Sequence, residues 1–127
     1  KKIFGELSQL VETHRPSQVA MEEVFVGRNA ASALKLGQAR GAAMAACLQS
    51  ELEVSEYSAR QVKQAVVGTG AAQKGQVQHM VKALLRISDT LAEDAADALA
   101  VAICHTNTQK SLISMAGAKS FSRKRFR

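Results

Sequence analysis

Apolar residues recur at helical spacing at the start of the chain, which predicts a first amphipathic helix. The residues that share this spacing are Ile3, Leu7, Leu10 and Val11. Pro16 predicts the end of that helix, because the residue before a proline disfavours helical backbone angles. Residues 19–25 then form an apolar run, which predicts a short strand covered by helices on both faces.

A long helix is predicted over about residues 30–50, with Asn29 as its N-cap. Gly37, Gly41 and Ala45 form a stripe of small residues at four-residue spacing on this helix. Such a stripe lets another element approach closely, and two interpretations remain open. The helix either packs on the sheet of its own chain or forms a helix-to-helix seam in a dimer.

The second half of the chain predicts one further strand and three helices. Residues 53–58 alternate as a strand does, and Ser58 caps a short helix over 59–67. A helix over about 73–86 follows, and its apolar stripe consists of Val77, Met80, Val81, Leu84 and Leu85. The last helix begins near residue 91, and the pattern decays after about residue 106.

The order helix, strand, helix, strand and three helices predicts an α/β fold. Two strands cannot cover the apolar faces of so many helices. We therefore expect that strands of the sheet are missing from this chain, either upstream of Lys1 or because a segment is misassigned. Residues 1–106 are predicted to belong to one domain, and 107–127 to form a basic tail without regular structure.

Charge is unevenly distributed along the chain. The net charge is +6 over 127 residues, yet residues 106–127 contain no acid and carry the whole excess. The basic residues there are Lys110, Lys119, Arg123, Lys124, Arg125 and Arg127. This tail indicates a polyanionic partner. Cys47 and Cys104 lie in apolar surroundings without a CxxC motif, which favours buried thiols in a reducing compartment.

The alanine-rich segment 91–103 carries the most informative acids. Asp94 and Asp97 are three residues apart, so a helix places both carboxylates on one face. Because the helix is apolar on nearly every side, we expect it to be buried and its acids to need neutralisation. Basic side chains, backbone N–H groups or a divalent cation could supply it. Glu93 is interpreted as complementing the dipole of the first helical turn.

Glu22 lies near the end of the first predicted strand, where ligands bind in open α/β sheets. If it converged with Asp94 and Asp97, three carboxylates would suit Mg²⁺ or Mn²⁺, since these hard cations prefer oxygen ligands. Two such ions can hold a phosphodiester for hydrolysis. Spacing alone leaves this hypothesis open, together with that of a helical interaction domain without metal.

The segment GTGAAQKG at 68–75 has two interpretations. It is either an ordinary glycine-ended helix followed by another capped helix, or a loop that contacts a nucleic-acid phosphate through Lys74 and backbone N–H groups. It lacks the ending of a nucleotide-binding P-loop. Phe25 is interpreted as a core residue or as an exposed platform that stacks on bases. The histidines show no metal-ligand spacing.

Five segments together resemble the bacterial RuvC Holliday-junction resolvases. They are AMEEVF at 20–25, NAASALKLGQARG at 29–41, ARQVKQAVVG at 59–68, QVQHM at 76–80 and DAADALA at 94–100. The resemblance implies a ribonuclease H-like mixed sheet flanked by helices, and a homodimer through helix 30–50. It also implies Mg²⁺-dependent nicking of two opposed strands of a four-way DNA junction in recombination and repair. A bacterial cytoplasmic location and contact with branch-migration proteins are implied as well.

The resemblance also implies residue roles. Glu22, Asp94 and Asp97 match catalytic acids that bind the metal. Lys63 and Lys74 match basic residues near the scissile phosphates, Phe25 matches an aromatic that contacts unstacked bases, and Arg28 with the tail is expected to add sequence-independent grip on DNA. The family's first acid, on its first strand, has no match here. The alternative is therefore a module that binds junctions without cutting them.

Overall fold

A computed structural model describes residues 2–23 and 29–125, with side chains up to residue 117. In these ranges the chain forms α1 (Lys2–His14), β1 (Val19–Glu22), α2 (Ala30–Gln49), β2 (Val54–Tyr57), α3 (Ala59–Val67), α4 (Lys74–Leu85) and α5 (Glu93–Arg125). The predicted order of elements is therefore confirmed, and most boundaries agree within two residues. No helix in the described ranges is long and apolar enough to cross a membrane. The chain divides into two compact units, Lys1–Glu56 and Tyr57–Arg127.

In the first unit, α1 lies against α2. The half-buried face of α1 consists of Phe4, Leu7, Ser8 and Val11. Ile3 and Leu10, which the sequence pattern placed on the inward stripe, are 41% and 52% exposed. The buried face of α1 is therefore rotated from the predicted one. Phe4 and Ser8 share it with Leu7 and Val11 at helical spacing, in place of Ile3 and Leu10.

The start of α2 and the small sheet follow the sequence closely. The side chain of Asn29 accepts hydrogen bonds from the backbone N–H groups of Ala31 and Ser32, which confirms the predicted N-cap. Strands β1 and β2 pair in a two-stranded sheet within the described residues. Arg40 of α2 reaches β2, where its Nη2 lies 3.2 Å from Glu56 Oε2. This partly buried ion pair fixes the helix to the sheet of its own unit.

In the second unit, α3, α4 and α5 pack against one another. Ser58 and Gln61 form a reciprocal capping box at the start of α3. The core consists of small and β-branched side chains, namely Val62, Val66, Ala72, Val77, Val81, Ala96, Ala100, Val101 and Cys104. Within this unit, the hydroxyl of Tyr57 lies 2.6 Å from Nδ1 of the buried His105 on α5.

Helix α5 is longer than the sequence pattern predicted. It continues through residues 107–125, for which we expected a tail without regular structure. The physical reason is composition, because this stretch has no proline and carries five basic residues, which are good helix formers. Its apolar side chains Leu112, Ile113 and Met115 are more than half exposed. The amphipathic pattern is therefore lost where α5 stops packing against the core, and the helix itself continues beyond that point.

Gly68 adopts a left-handed backbone conformation that favours glycine, whereas Gly75 does not. Gly68 ends α3 in the left-handed region with φ of 90°, whereas Gly75 is helical with open space at its missing Cβ. We expect Gly68→Ala to lower the free energy of unfolding by about 1 kcal/mol. Gly75→Ala should raise it by about 0.5 kcal/mol. Thermal melts of both variants check this pair of opposite signs, and a stabilised Gly68→Ala would contradict the assigned backbone geometry.

Candidate active site

The first two turns of α5 present acids to solvent. Glu93 and Asp94 lie in the first turn, where carboxylates complement the partial positive charge of the helix start. Ala96 and Ala100 turn inward and are 2% exposed. The side chain of Asp97 is 40% exposed, and Ala95 and Ala98 are also exposed. The helix therefore lies against the core as expected, but its acids are not buried with it, because alanine is small enough to occupy exposed helical positions as well.

Lys74 supplies the positive charge that this acidic turn attracts. It is the first residue of α4, whose start is fixed by a hydrogen bond from the Gln73 N–H to Gln76 Oε1 at 2.8 Å. Its ammonium donates to the Glu93 carboxylate and lies 3.3 Å from Asp97 Oδ2. A basic side chain, one of the three predicted means of neutralisation, is therefore present beside Asp97.

Lys74 and Glu93 shift each other's pKa. Hydrogen bonding to Glu93, and then to Asp97, raises the pKa of Lys74 above 10.5, and the same bond lowers the pKa of Glu93 below 4.5. The stability that the pair contributes is lost as pH rises through the raised pKa of Lys74. It is also lost as pH falls through the lowered pKa of Glu93. Between these limits Lys74 and Glu93 both stay charged, and solvent screening keeps the contribution small.

Asp94 and Asp97 lie one helical turn apart and leave their carboxylate oxygens accessible. Within the described ranges, no group of three or more His, Cys, Asp or Glu side chains could hold a metal ion. Glu22 is exposed at the last position of β1 and belongs to the first unit. The pair on α5 is therefore the part of the predicted carboxylate set that the structure brings together.

The other predicted site residues have different outcomes. Lys63 is half-buried on α3. Phe25 and Arg28 lie outside the described residues. In the segment at 68–75, Gly68 ends α3 and Thr69 Oγ1 accepts from the Ala71 N–H at 3.2 Å, while contact of this segment with a phosphate stays a prediction.

Sequence reasoning missed the contact between Glu93 and Lys74. We assigned Glu93 to the helix dipole alone, whereas its carboxylate also binds the ammonium. The available signal was its spacing, since residues 93 and 97 are four apart and lie on one helical face. A lysine that contacts one of them can therefore contact both.

Comparison with known proteins identifies the family. The family model described as "Crossover junction endodeoxyribonuclease RuvC" matches residues 1–105. The chain belongs to the RuvC family. The RuvC of Teredinibacter turnerae is 62% identical over 125 residues, which cover 98% of this chain and 71% of that protein. The RuvC of Saccharophagus degradans is 58% identical, with 98% and 72% covered.

Solved RuvC structures share the fold. The Thermus thermophilus RuvC structure superposes with a TM-score of 0.78 at 34% identity, covering 87% of this chain and 67% of that one. The T. thermophilus RuvC in complex with Holliday junction substrate gives a TM-score of 0.77 at 36% identity, covering 83% and 64%. The α/β, ribonuclease H-like fold expected from the resemblance is thereby confirmed.

Proposed function

We propose that this protein is a structure-selective endonuclease that resolves four-way DNA junctions by paired nicks in recombination and repair. Its membership of the RuvC family supports the activity. The observation that carries the proposal is the acidic turn of α5, where Asp97 lies beside the ammonium of Lys74 and Asp94 precedes Asp97 by one helical turn. Accessible carboxylates can hold the divalent cations that promote phosphodiester hydrolysis, and a lysine beside them can donate to a phosphate oxygen.

Asp94 and Asp97, together with Glu22, are the residues we propose to hold Mg²⁺, for which Mn²⁺ could substitute. The chemistry of these side chains fits, because carboxylate oxygens are the ligands that hard cations prefer, and the contribution of Glu22 to the α5 pair is part of the proposal. A cation is already attracted here, since the Lys74 ammonium lies 3.3 Å from Asp97. When bound, the metal would activate water and stabilise the leaving oxygen of the scissile phosphate.

Lys74 has two tasks in this proposal. Without metal it shares its charge between Glu93 and Asp97. When Asp97 has a metal partner, Glu93 still holds the ammonium, whose remaining N–H groups can donate to a phosphate oxygen. Lys63 is proposed to contact the phosphates as well, Phe25 to contact unstacked bases, and Arg28 with the basic C-terminal residues to bind the DNA backbone.

A homodimer through α2 would place two active sites in one assembly, since a two-fold interface presents equivalent centres. One face of α2 supports this proposal. It carries Leu34, Gly37, Gly41, Ala45 and Leu48, and all five are exposed. Leu34 and Leu48 are 65% and 58% exposed, and nothing lies within 4 Å of a Cβ built on either glycine. An exposed apolar stripe at this spacing is typical of a helix that packs against a partner helix.

Gly41→Glu should disrupt that dimer without harming the monomer. Glutamate is a better helix former than glycine, and the position is open. A charge in the centre of an apolar seam is costly, so we expect a shift to monomer at micromolar concentration. Sedimentation equilibrium measures this shift. Lys35→Glu, which places the same acid on the other side of α2, serves as the control and should stay dimeric. A dimeric Gly41→Glu protein would exclude α2 as the seam.

Junction selectivity tests the proposed function. The protein should bind a four-way junction more tightly than a linear duplex of the same sequence, measured by fluorescence anisotropy without divalent metal. Equal affinity for the two DNAs would indicate general nucleic-acid binding instead. Contact with branch-migration proteins and a location in the bacterial cytoplasm are further parts of the proposal.

A further inference from the structure

A cationic surface lies at the C-terminal end of α4, away from the acidic turn. His79, Lys82 and Arg86 line a shallow cavity of about 370 Å³ there, together with Ala83, Ile87 and Ser88. Lys82 and Arg86 are four residues apart, and His79 is three residues before Lys82. This spacing places the three side chains around one part of the helix surface. We call these three residues the α4 basic surface.

The positive charge of the α4 basic surface is not compensated. Lys74 has two carboxylate partners, and Arg40 is paired with Glu56. By contrast, Lys82 and Arg86 make no ion pair with any residue that the structure describes, and no acid lines the cavity. Free cations around a concave surface favour an anionic ligand.

Arg86 occupies a position that usually favours glycine. It caps α4 in the left-handed region with φ of 54° and ψ of 44°, and its N–H is directed at the carbonyls of Ala83 and Lys82. Cations at a helix end also complement its dipole, which is the simpler role for Lys82 and Arg86. That role does not require a cavity or a histidine beside them. A ligand with several negative charges accounts for the whole arrangement.

The helix relates this surface to the proposed active site. Lys74 begins α4, and a rise of about 1.5 Å per residue places Lys82 about 12 Å and Arg86 about 18 Å further along the axis. Phosphates on one DNA strand advance by about 3.4 Å each along the duplex axis. For a DNA arm that runs parallel to α4, which is part of the proposal, this separation corresponds to about four to five nucleotides from a phosphate held at Lys74.

We propose that the α4 basic surface binds backbone phosphates of the DNA arm that leaves the cut site, about four to five nucleotides from it. This inference rests on the proposed function and adds a second place of contact with the same substrate. Such contacts position the DNA arm on the protein and add electrostatic affinity for it. They do not depend on the base sequence.

Removing the two permanent charges tests the proposal in the intact protein. The variant Lys82→Met with Arg86→Met keeps long, helix-compatible side chains. It should make the negative slope of log affinity against log salt shallower by about 2 and weaken junction binding about tenfold or more at 100 mM salt. The charge-conserving control, Lys82→Arg with Arg86→Lys, should keep the wild-type slope. An unchanged slope in the Met variant overturns the inference.

Neutral phosphates locate the contact. Methylphosphonates placed four to five nucleotides from the cut should weaken binding by the wild type and have little effect on the Met variant. Equal weakening of both proteins would assign those phosphates to other residues and reject the proposal. If the methylphosphonates do not change binding by the wild type, the α4 basic surface does not contact these DNA phosphates, and the proposal is overturned in favour of another anion such as free phosphate. If the wild type does not bind the junction at all, both the proposed function and this inference are wrong.

Discussion

Asp97→Asn should abolish cleavage while leaving junction binding intact. The change keeps the shape of the side chain and removes the charge that we propose to hold the metal. We expect nicking in Mg²⁺ to fall on the order of a hundredfold or more, the scale on which single electrostatic groups act in active sites. Lys74 keeps its contact with Glu93, so the start of α4 should remain in place. Single-turnover cutting of a labelled junction measures the rate, and anisotropy measures binding.

Asp89→Asn is the matched control for this variant. Asp89 is exposed in the connector between α4 and α5 and lies outside the acidic turn. The substitution removes the same charge from the same part of the chain, and the cutting rate should stay at the wild-type level. Robust cleavage by the Asp97 variant, or an equal loss in the Asp89 variant, would refute the role assigned to Asp97.

Lys74→Met should change two properties in opposite directions. Without DNA, uptake of Mn²⁺ should become tighter, because the ammonium no longer competes for Asp97. With DNA, cutting at saturating junction should fall by about tenfold to a hundredfold, because the phosphate loses a charged donor. The side chain is 56% exposed, so the fold should tolerate its replacement. Calorimetry with Mn²⁺ and single-turnover kinetics measure the two effects.

Lys74→Arg is the control for Lys74→Met, because it changes the shape of the side chain and keeps its positive charge. It keeps the positive charge beside Glu93 and Asp97, so metal uptake should stay close to wild type, with cutting partly retained. If Lys74→Met weakened metal uptake, the ammonium would be supporting the site and not competing with the cation. If it left cutting unchanged, Lys74 would be a structural partner of the acidic turn alone.

Local signals in the sequence predicted most of the elements. Asn29 and Ser58 cap their helices as expected, and Gly68 ends α3. These positions were predictable because capping depends on a few adjacent residues. The inward face of α1 and the continuation of α5 were not, since each depends on which surface finds a partner. Leu84 and Leu85 show the same limit, because both follow the helical stripe of α4 and remain about half exposed.

The candidate site was predicted in its residue types but not in its contacts. Asp94 and Asp97 share a helical face, as spacing required. The bond from Lys74 to Glu93 joins residues nineteen positions apart, and no local pattern specifies it. The predicted burial of the acids was wrong because alanine was counted as a core residue. Its small side chain gives little preference between core and surface, so Ala95 and Ala98 can face solvent.

Metal-dependent cutting of a four-way junction tests the central claim most directly. The intact protein is mixed with a junction labelled on each strand in turn, first in chelator and then in Mg²⁺, and the products are separated on a sequencing gel. We predict an uncut junction in chelator and, on addition of Mg²⁺, nicks in two opposed strands at symmetric positions. A junction that is bound but stays whole in Mg²⁺, or one that is cut equally well in chelator, would contradict the account.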